Sequence, residues 1–422
     1  MTADRTIDAG RPDTVAARRV GDFLFDTLSR WLEQAQDGSG AVAERLEAPS
    51  KPLPSHERTT LTQARLVFTF AHLHLATGAP WMREAAIAIH RYLDTALRDE
   101  DGGYRVAALA SGAPSAVPEH ALRRTYDQSF ALLALVTLRR AAPEAMPEGR
   151  VEACWNFIST RLTDPATGAL WEDDAMAARG PRPGDLRAQN PHMHMIEALL
   201  QAHEMTGEAV WRDRAAGLVE VGLRHFLDAD TGAIREFTGH DLAPIDTADG
   251  RRREPGHQYE WAWLLRRFAA MGGDPAAVAT AARMQRFVEA HGLRREGFLT
   301  GAPFDAVSAD GTVTEPDHLL WPLTEAGKLH ADLHAETGAP DHAERALALL
   351  ELIFARYVAA GPDPFWVNRL DGQGRVLWPE ALSRLLYHLA LFLTEGGRAG
   401  LWSLGRDAAP REQDVYKEED LT

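Results

Sequence analysis

Three histidines lie in segments whose apolar residues recur at helical spacing, and imidazole is the side chain best suited to moving protons near neutral pH. His194 lies in QNPHMHMIEALL, His257 in EPGHQYEWAWLL and His388 in WPEALSRLLYHLALFL. Glu260 follows His257 by three residues, so on a helix its carboxylate can orient the imidazole or stabilise its protonated form. The spacing predicts acid–base chemistry. The alternatives are that His257 and Glu260 form a pair on the protein surface and that His388 is a packed core residue.

The helix that carries His194 has a clear predicted start, because Asn190 suits the N-cap and Pro191 suits the first helical position. His192 shares the apolar side of this helix through Ile196, whereas His194 lies on a different side. A first-turn histidine is also close to the positive end of the helix dipole, which favours the neutral imidazole. We expect His192 to be structural and His194 to be available, although a satisfied histidine is the simpler interpretation of this helix alone.

Other polar and aromatic side chains lie in similar apolar surroundings. Arg65 occurs in QARLVFTFAHLHL and Tyr126 in RTYDQSFALLAL. Burying such groups without a solvated pocket costs roughly 1–3 kcal/mol each. Trp321, in HLLWPLTEA, adds an aromatic face that suits the C–H faces of sugars, although most tryptophans serve packing. These residues and the histidines therefore predict one shared cavity.

An internal repeat indicates which elements hold these residues. Segments 73–89, 202–218 and 333–349 each fit a helix that ends at Thr-Gly, a short turn and a second helix. The glycines lie about 130 residues apart, twice a period of about 65, because intermediate units occur between them. Caps and periodicity predict first helices near 59, 124, 190, 255, 320 and 378, partner helices near 81, 146, 209, 275 and 340, and an N-terminal helix at about 15–36.

The predicted fold is all-α, an (α/α)6 barrel of six helical hairpins. The last hairpin lacks a partner helix, and the N-terminal helix is spare, so we expect it to close the ring. The first helix of each pair then lines the inner ring, and its end meets the inter-pair loops at a single cavity. We expect a flexible N-terminus at 1–14, one catalytic barrel domain at 15–395, and a C-terminal extension at 396–422 that ends in an acidic tail.

Composition narrows the class of protein. Hydrophobic residues make up 45% and charged residues 25% of the 422-residue chain, as in soluble globular proteins. The net charge of −16 disfavours nucleic acid and membrane as partners, because both need clustered positive charge. Cys154 is the only cysteine, which excludes an intramolecular disulfide. The sequence shows no signal-peptide pattern and no apolar run long enough to span a membrane, so we expect a cytoplasmic location. We expect the protein to be a monomer or a homodimer.

Metal binding is the main alternative use of the histidines. Glu254 and His257, and likewise Glu315 and His318, have the Glu-x-x-His spacing of di-iron bundles. Proline follows each glutamate and places these pairs near helix starts, whereas bundle ligands project from helix interiors. No phosphate-binding or dinucleotide glycine motif follows a strand. We therefore expect no metal and no cofactor.

Four of these segments together resemble the N-acylglucosamine 2-epimerase superfamily. They are QNPHMHMIEALL, EPGHQYEWAWLL, WPLTEAGKLHA and the late Leu-Tyr-His at 386–388. They occur in the family's order, and the similarity covers roughly residues 15 to 395. The branch that includes mannose isomerase and sulfoquinovose isomerase is the most similar. The resemblance implies an (α/α)6 barrel and metal-independent chemistry on free sugars through an enediol.

The same resemblance implies roles for particular residues. His257 and His388 resemble the family's acid–base pair, and Glu260 resembles the partner of His257. His194 and Arg65 resemble ligands of substrate oxygens. Tyr126 and Trp321 are expected as further contacts with the substrate.

The chemistry begins with removal of the C2 proton of an open-chain aldose, for which imidazole is the natural base. Fixed donors such as Arg65 and His194 can stabilise the charge that develops on O1. Returning the proton to C1 gives a ketose, and returning it to the opposite face of C2 gives the epimer. We favour conversion of D-mannose to D-fructose, with a mono- or disaccharide 2-epimerase as the alternative.

The substrate preference rests on small differences in sequence. Cellobiose epimerases carry Trp-Trp-x-Gln-Ala-Glu where this chain has residues 320–325, Leu-Trp-Pro-Leu-Thr-Glu, which disfavours a disaccharide. An anionic sugar, as in a sulfoquinovose isomerase, is an alternative because the run 251–253 is Arg-Arg-Arg, although such runs are usually solvated loops.

Two other classes remain open from sequence. An (α/α)6 glycoside hydrolase needs two carboxylates across the cavity, and only Glu260 and Asp127 are available at inner positions. A helical-repeat binding protein would use an exposed groove and would tolerate changes at His257 and His388.

Overall fold

A computed structural model describes residues 13–47, 51–52, 56–358 and 365–405. These residues are mostly helical. In chain order the α-helices are α1 (Thr14–Asp22), α2 (Leu28–Ala35), α3 (Thr60–Thr77), α4 (Pro80–Tyr92), α5 (Thr125–Ala141), α6 (Arg150–Phe157), α7 (Asp174–Arg179), α8 (Asn190–Thr206), α9 (Ala209–Phe226), α10 (Ala248–Arg251), α11 (Pro255–Ala270), α12 (Ala276–Phe287), α13 (Leu320–Thr337), α14 (Pro340–Ile353) and α15 (Leu386–Arg398). Short π-helical turns join α1 to α2 at Phe23–Thr27 and extend outer helices at Leu93–Leu97, Ile158–Leu162, Val288–Gly292 and Phe354–Val358.

Six of these helices form a closed inner ring. Helices α3, α5, α8, α11, α13 and α15 pack each against the next, and α15 packs back against α3. Helices α4, α6, α9, α12 and α14 each pack outside the inner helix that precedes them. This arrangement is the predicted (α/α)6 barrel of helical hairpins.

The N-terminal helices occupy the sixth outer position, as predicted. Helix α1 packs against α14, and the rings of Phe23 and Phe354 make an edge contact at 5.8 Å. Trp31, on α2, is fully buried and stacks on Phe70 of inner helix α3 with 6.4 Å between ring centroids. The sequence therefore supplies from its start the helix that the last hairpin lacks.

Five of the six predicted inner-helix starts are confirmed within about a residue, because caps and proline mark them. The sixth prediction, a start near 378, is wrong. Residues Val376–Trp378 and Ala381–Leu382 form short strands, a 3-10 turn spans Ser383–Leu385, and α15 begins only at Leu386. Leu382 pairs in antiparallel register with Arg45, so a pairing with a distant segment overrides the local helical spacing.

The repeated Thr-Gly turns explain several other histidines. The glycines adopt left-handed backbone conformations at the ends of α3, α8 and α13, with φ between 67° and 75°. In each turn a histidine four residues before the glycine places its Nδ1 3.0 Å from a carbonyl oxygen just past the turn. His74, His203 and His334 therefore fasten turns and are not part of a site.

Short strands connect the outer helices to the next inner helices, which the sequence did not predict. The strands are β1 (Arg45–Glu47), β2 (Lys51–Pro52), β3 (Glu57–Thr59), β4 (Ala107–Leu109), β5 (Arg187–Ala188), β6 (Phe237–Thr238), β7 (Arg252–Arg253), β8 (Ala306–Ser308), β9 (Val313–Glu315), β10 (His318–Leu319), β11 (Arg369–Leu370), β12 (Val376–Trp378) and β13 (Ala381–Leu382). They pair antiparallel in small sheets such as β5–β6 and β7–β8–β9. Several precede an inner helix directly, so they hold loop residues against the N-terminal ends of the inner helices.

The chain stays packed beyond residue 395, where we expected the domain to end. Helix α15 runs to Arg398, and buried Trp402 donates its indole N–H to the carbonyl of Leu393 at 2.8 Å. Most of the predicted flexible N-terminus and most of the predicted acidic tail lie outside the described residues. Among the residues described, no helix is both long and apolar enough to span a bilayer.

Candidate active site

The first two turns of all six inner helices line one cavity of about 420 Å3. All seven predicted site residues are on its wall, namely Arg65, Tyr126, His194, His257, Glu260, Trp321 and His388. Six helix N-termini therefore converge on this space, and their dipoles favour negative charge there. An intermediate that develops an oxyanion is stabilised by such an arrangement.

Each of the three histidines faces a carboxylate through Nδ1. The Nδ1 atom lies 3.2 Å from Glu197 in His194, 2.7 Å from Glu236 in His257 and 2.8 Å from Glu325 in His388. A carboxylate accepts hydrogen bonds, so the hydrogen bond assigns the proton to Nδ1. The other ring nitrogen, Nε2, then has no partner among the described residues and is free to contact a substrate.

His257 lies in an acidic environment. Besides Glu236, a Glu254 oxygen lies 3.2 Å from its Nδ1. Burial by itself lowers the pKa of His257, but the charges of Glu236 and Glu254 outweigh burial and raise it to about 10. Glu236 is held in place by the Gln189 side chain and by the backbone N–H of Glu254, each donating at 3.0 Å. His257 is therefore protonated at neutral pH and suited to act as an acid.

His388 lies in the opposite environment. Burial is the main reason that its pKa lies well below the usual value, and the charges of Arg65 and Lys328 lower it further. Its partner Glu325 is itself paired, because the Lys328 ammonium lies 2.5 Å from the second oxygen of Glu325. Lys328 is fully buried and also lies 4.1 Å from the centre of the Trp263 ring. His388 is therefore neutral at neutral pH and suited to act as a base.

Trp321 lies between these two histidines. Its ring centroid is 4.9 Å from that of His257 and 5.7 Å from that of His388. The close packing depends on Gly256, because a Cβ at that position would come within 2.4 Å of the Trp321 ring. The aromatic face and the two imidazoles thus frame one space of the size of a small polar molecule.

Glu260 does not accept the hydrogen bond from His257 that we expected, although it is among the nearby carboxyl groups that raise the pKa of His257. Glu260 is 1% exposed, and one of its oxygens lies 3.8 Å from Nδ1 of His194. Neither oxygen has a hydrogen-bond partner among the described residues. Burial raises the pKa of Glu260 well above its usual value, and the nearby Glu325 raises it further. The three-residue spacing did place Glu260 in the cavity, but Glu236 takes the position beside His257.

Arg65 and Tyr126 form the opposite wall. Arg65 is 4% exposed and donates through Nη2 to the Tyr126 hydroxyl at 2.8 Å. Its guanidinium lies 4.2 Å from the centre of the Phe130 ring, and it forms no ion pair with a described residue. Burial lowers the pKa of His194 to about 4. Arg65 therefore supplies fixed charged donors, and His194 supplies a neutral imidazole.

His192 is structural, in agreement with its expected side of the helix. It is fully buried, its Nδ1 lies 3.1 Å from the Ala188 carbonyl, and its Nε2 accepts from the backbone N–H of Leu170 at 2.9 Å. Asp127, one of the two carboxylates that a hydrolase would need, is buried but is not among the residues that line the cavity.

Sequence analysis missed the carboxylates that hold the histidines. Two of them were weakly indicated by the sequence, because Glu197 follows His194 by three residues and Glu325 is a charged residue in the otherwise apolar inner helix α13. Glu236 was not indicated, because it belongs to the loop before β6. Asn190 and Asn368 also line the cavity, where their amides suit sugar hydroxyls.

Among the residues that the structure describes, three sets of side chains bring possible metal ligands within 4.8 Å of one another. The sets are His194 with Glu197 and Glu260, His257 with Glu236 and Glu254, and His388 with Glu260 and Glu325. In every set a histidine Nδ1 already faces a carboxylate, so an ion would displace that contact. The second Glu-x-x-His pair is separated, because Glu315 pairs with Arg252 and Nδ1 of His318 lies 2.7 Å from the Pro303 carbonyl.

The arginines at 251–253 do not line the cavity, and each of them is paired with a carboxylate. Arg251 pairs with Asp246, and Arg252 pairs with Glu254 at 2.8 Å and with Glu315. Arg253 is buried and pairs with Asp228 at 2.7 Å. These contacts explain the run as structural.

A larger cavity of about 760 Å3 lies at the opposite end of the barrel, beside the last turns of inner helices. Its three arginines, Arg266, Arg267 and Arg398, each pair with carboxylates on neighbouring helices. Positive charge suits the negative ends of helix dipoles, so these pairs stabilise the closed end of the barrel. The histidine-lined cavity is the candidate active site.

A helical barrel with these proton-transfer groups is the framework of a sugar isomerase or epimerase. The family model described as N-acylglucosamine 2-epimerase (GlcNAc 2-epimerase) matches residues 41–391 of this chain. The chain belongs to this family, and it is an isomerase or epimerase that acts on a sugar.

Similar proteins agree with this assignment. A mannose-6-phosphate isomerase of Rhizobium meliloti (strain 1021) is 29% identical over 392 residues, which cover 90% of this chain and 96% of the relative. A D-mannose isomerase of Thermobifida fusca is 29% identical over 347 residues, 76% of this chain and 77% of the relative. A D-mannose isomerase crystal structure superposes with a TM-score of 0.74 at 19% identity, covering 90% of this chain and 96% of that one, and supports the fold.

Proposed function

We propose that this enzyme interconverts D-mannose and D-fructose by proton transfer through an enediol, without a metal ion. The observation that carries the proposal is a pair of imidazoles on one cavity, His257 beside two carboxylates and His388 beside a carboxylate that is paired with Lys328. One imidazole that carries a proton and one that lacks a proton are what general acid–base catalysis requires. The names of the two relatives favour isomerisation of a mannose-type sugar.

In this mechanism neutral His388 takes the proton from C2 of the open-chain aldose through Nε2. As the sugar opens, protonated His257 donates its proton to the ring oxygen and the proton lost from the anomeric hydroxyl returns to His257. His257 then donates that proton to O1 as the enediol forms. Arg65 and the six helix N-termini stabilise the negative charge that develops on O1, and neutral His194 accepts a hydrogen bond from a sugar hydroxyl through Nε2. Delivery of the proton to C1, with transfer of the hydroxyl proton from O2, completes the ketose.

Glu260 has a separate role in this proposal. A buried carboxyl without a partner is neutral, so it can donate a hydrogen bond to a sugar hydroxyl and accept one in return. That contact would satisfy both oxygens once a sugar is bound. Glu260 would thus position the substrate, whereas Glu236 and Glu325 position the two catalytic imidazoles.

The test is proton NMR of EDTA-treated enzyme in D2O with mannose, fructose or glucose, each incubated separately. We expect fructose from mannose, with deuterium at the exchanging carbon and no gain when divalent ions are added back. Glucose as the first product from mannose would replace isomerisation with 2-epimerisation by the same histidine pair. Loss of activity in EDTA that Mn²⁺ or Zn²⁺ restores would overturn the metal-independent mechanism. Conversion of none of the three sugars would overturn the neutral-monosaccharide substrate.

A further inference from the structure

The cavity has a positive side that the proposed chemistry uses only in part. Arg384 lines the cavity in the 3-10 turn before α15, and its side chain is exposed to the solvent in the cavity mouth. Nη1 of Arg65 lies 3.5 Å from the Arg384 carbonyl, so the two arginines occupy adjacent positions. Arg384 forms no ion pair with any described residue.

Three other arginines at this end of the barrel are neutralised by carboxylates. Arg252 pairs with Glu254 and Glu315, Arg253 with Asp228, and Arg369 with Asp317. Acidic residues outnumber lysine and arginine by 61 to 45, so carboxylate partners are not scarce. Two neighbouring guanidinium groups that form no ion pair repel each other, and an anion between or beside them reduces that repulsion.

The two sides of the cavity also differ in the sign of the charged side chains that line them. Glu236 and Glu254 lie beside His257 on the α11 side, whereas Arg65 and Arg384 lie on the side of α3 and α15. Depth separates the two arginines, because Arg65 is 4% exposed and Arg384 is at the open mouth. An anionic sugar is therefore directed with its charged group toward Arg384 and away from the glutamates.

We propose that Arg384 binds an anionic substituent, a phosphate or sulfonate on the carbon farthest from the carbonyl, and that the enzyme prefers such a negatively charged hexose to neutral D-mannose. The proposal rests on the isomerase function proposed above and narrows its substrate. Arg65 remains the deeper donor for a sugar oxygen near the reacting carbons. A guanidinium suits both oxyanions, because its N–H groups meet two oxygens at once.

The test compares kcat/KM for mannose and mannose 6-phosphate in the natural enzyme, Arg384→Gln and Arg384→Lys. We expect the natural enzyme to prefer the phosphorylated sugar. Arg384→Gln should lower kcat/KM for that sugar about 10- to 100-fold, mainly through KM, the worth of a charge-assisted hydrogen bond. Turnover of mannose should stay within about threefold, and lysine should restore part of the loss.

Arg369→Gln is the matched control, because it removes the same charge from the same end of the barrel but not from the cavity wall. It should leave the preference unchanged. A 6-sulfonated hexose, tested in parallel, distinguishes a sulfonate from a phosphate. A natural enzyme that isomerises mannose but not the charged sugars, or equal kinetics in Arg384→Gln, would overturn the anionic substrate and leave the isomerase function intact.

Calorimetry tests binding even where no sugar turns over. Mannose 6-phosphate should bind the natural enzyme more tightly than Arg384→Gln at low salt, and the difference should shrink as salt rises. Equal binding by the two proteins contradicts the role of Arg384. Binding that depends on Arg384 without conversion of any sugar would instead contradict the isomerase function alone.

Discussion

The α11 side and the α15 side of the cavity each hold a histidine whose Nδ1 faces a carboxylate, yet His257 is protonated and His388 is neutral. His257 has the full negative charge of Glu236 and a second carboxylate beside it. The carboxylate beside His388 is Glu325, whose negative charge is balanced by the buried ammonium of Lys328, and Arg65 adds a positive charge nearby. The difference teaches that the hydrogen-bond partner orients each ring, whereas the surrounding charges decide which ring holds the proton.

The largest expected effect is loss of the base. His388→Asn should lower kcat by about a hundredfold to ten-thousandfold, because general-base catalysis contributes that much. Deuterium exchange at C2 of the sugar in D2O should fall in parallel, since the same step is lost. His203→Gln, which changes a histidine of a Thr-Gly turn, is the matched control and should leave exchange intact. Undiminished exchange in His388→Asn would assign the base elsewhere.

A buried ion pair contributes to the neutral state of His388, which burial favours most. Lys328→Met leaves Glu325 buried without its cation, so we expect a loss of about 3–5 kcal/mol in the free energy of unfolding. The double variant Glu325→Gln with Lys328→Met should recover much of this stability in denaturant titrations. In the single variant the pKa of His388 should also rise, because a positive charge has gone. The acid limb of kcat/KM should therefore move to higher pH.

His257 gives the opposite shift. Its imidazolium is lost as pH rises through its pKa of about 10, so the alkaline limb of kcat/KM should lie near that pH. Glu236→Gln removes the charge that stabilises the imidazolium, and the limb should fall by about 1–3 pH units. A pH profile of kcat/KM checks the shift, and a role of Glu236 in folding alone would leave the limb where it is.

These charge environments mark the limit of what the sequence could predict. Caps and periodicity predicted five inner-helix starts, and the repeat brought Arg65, His194 and His257 to one cavity because each lies in the first two turns of an inner helix. The pairing of His257 with Glu236 joins a helix to a loop 21 residues earlier, which no local spacing reports. The late start of α15 likewise depends on strand pairing between residues far apart in the chain.

The smallest expected effect separates the two glutamates beside His257. Glu254 lies 3.2 Å from Nδ1 against 2.7 Å for Glu236, and it also pairs with Arg252. Burial raises the pKa of Glu254, so its negative charge is the less complete of the two. Glu254→Gln should lower the alkaline limb in the same direction as Glu236→Gln but by less, with kcat near neutral pH little changed. A shift as large as that of Glu236→Gln would mean that both carboxylates hold the proton on His257 equally, and that charge at the site is set by the pair.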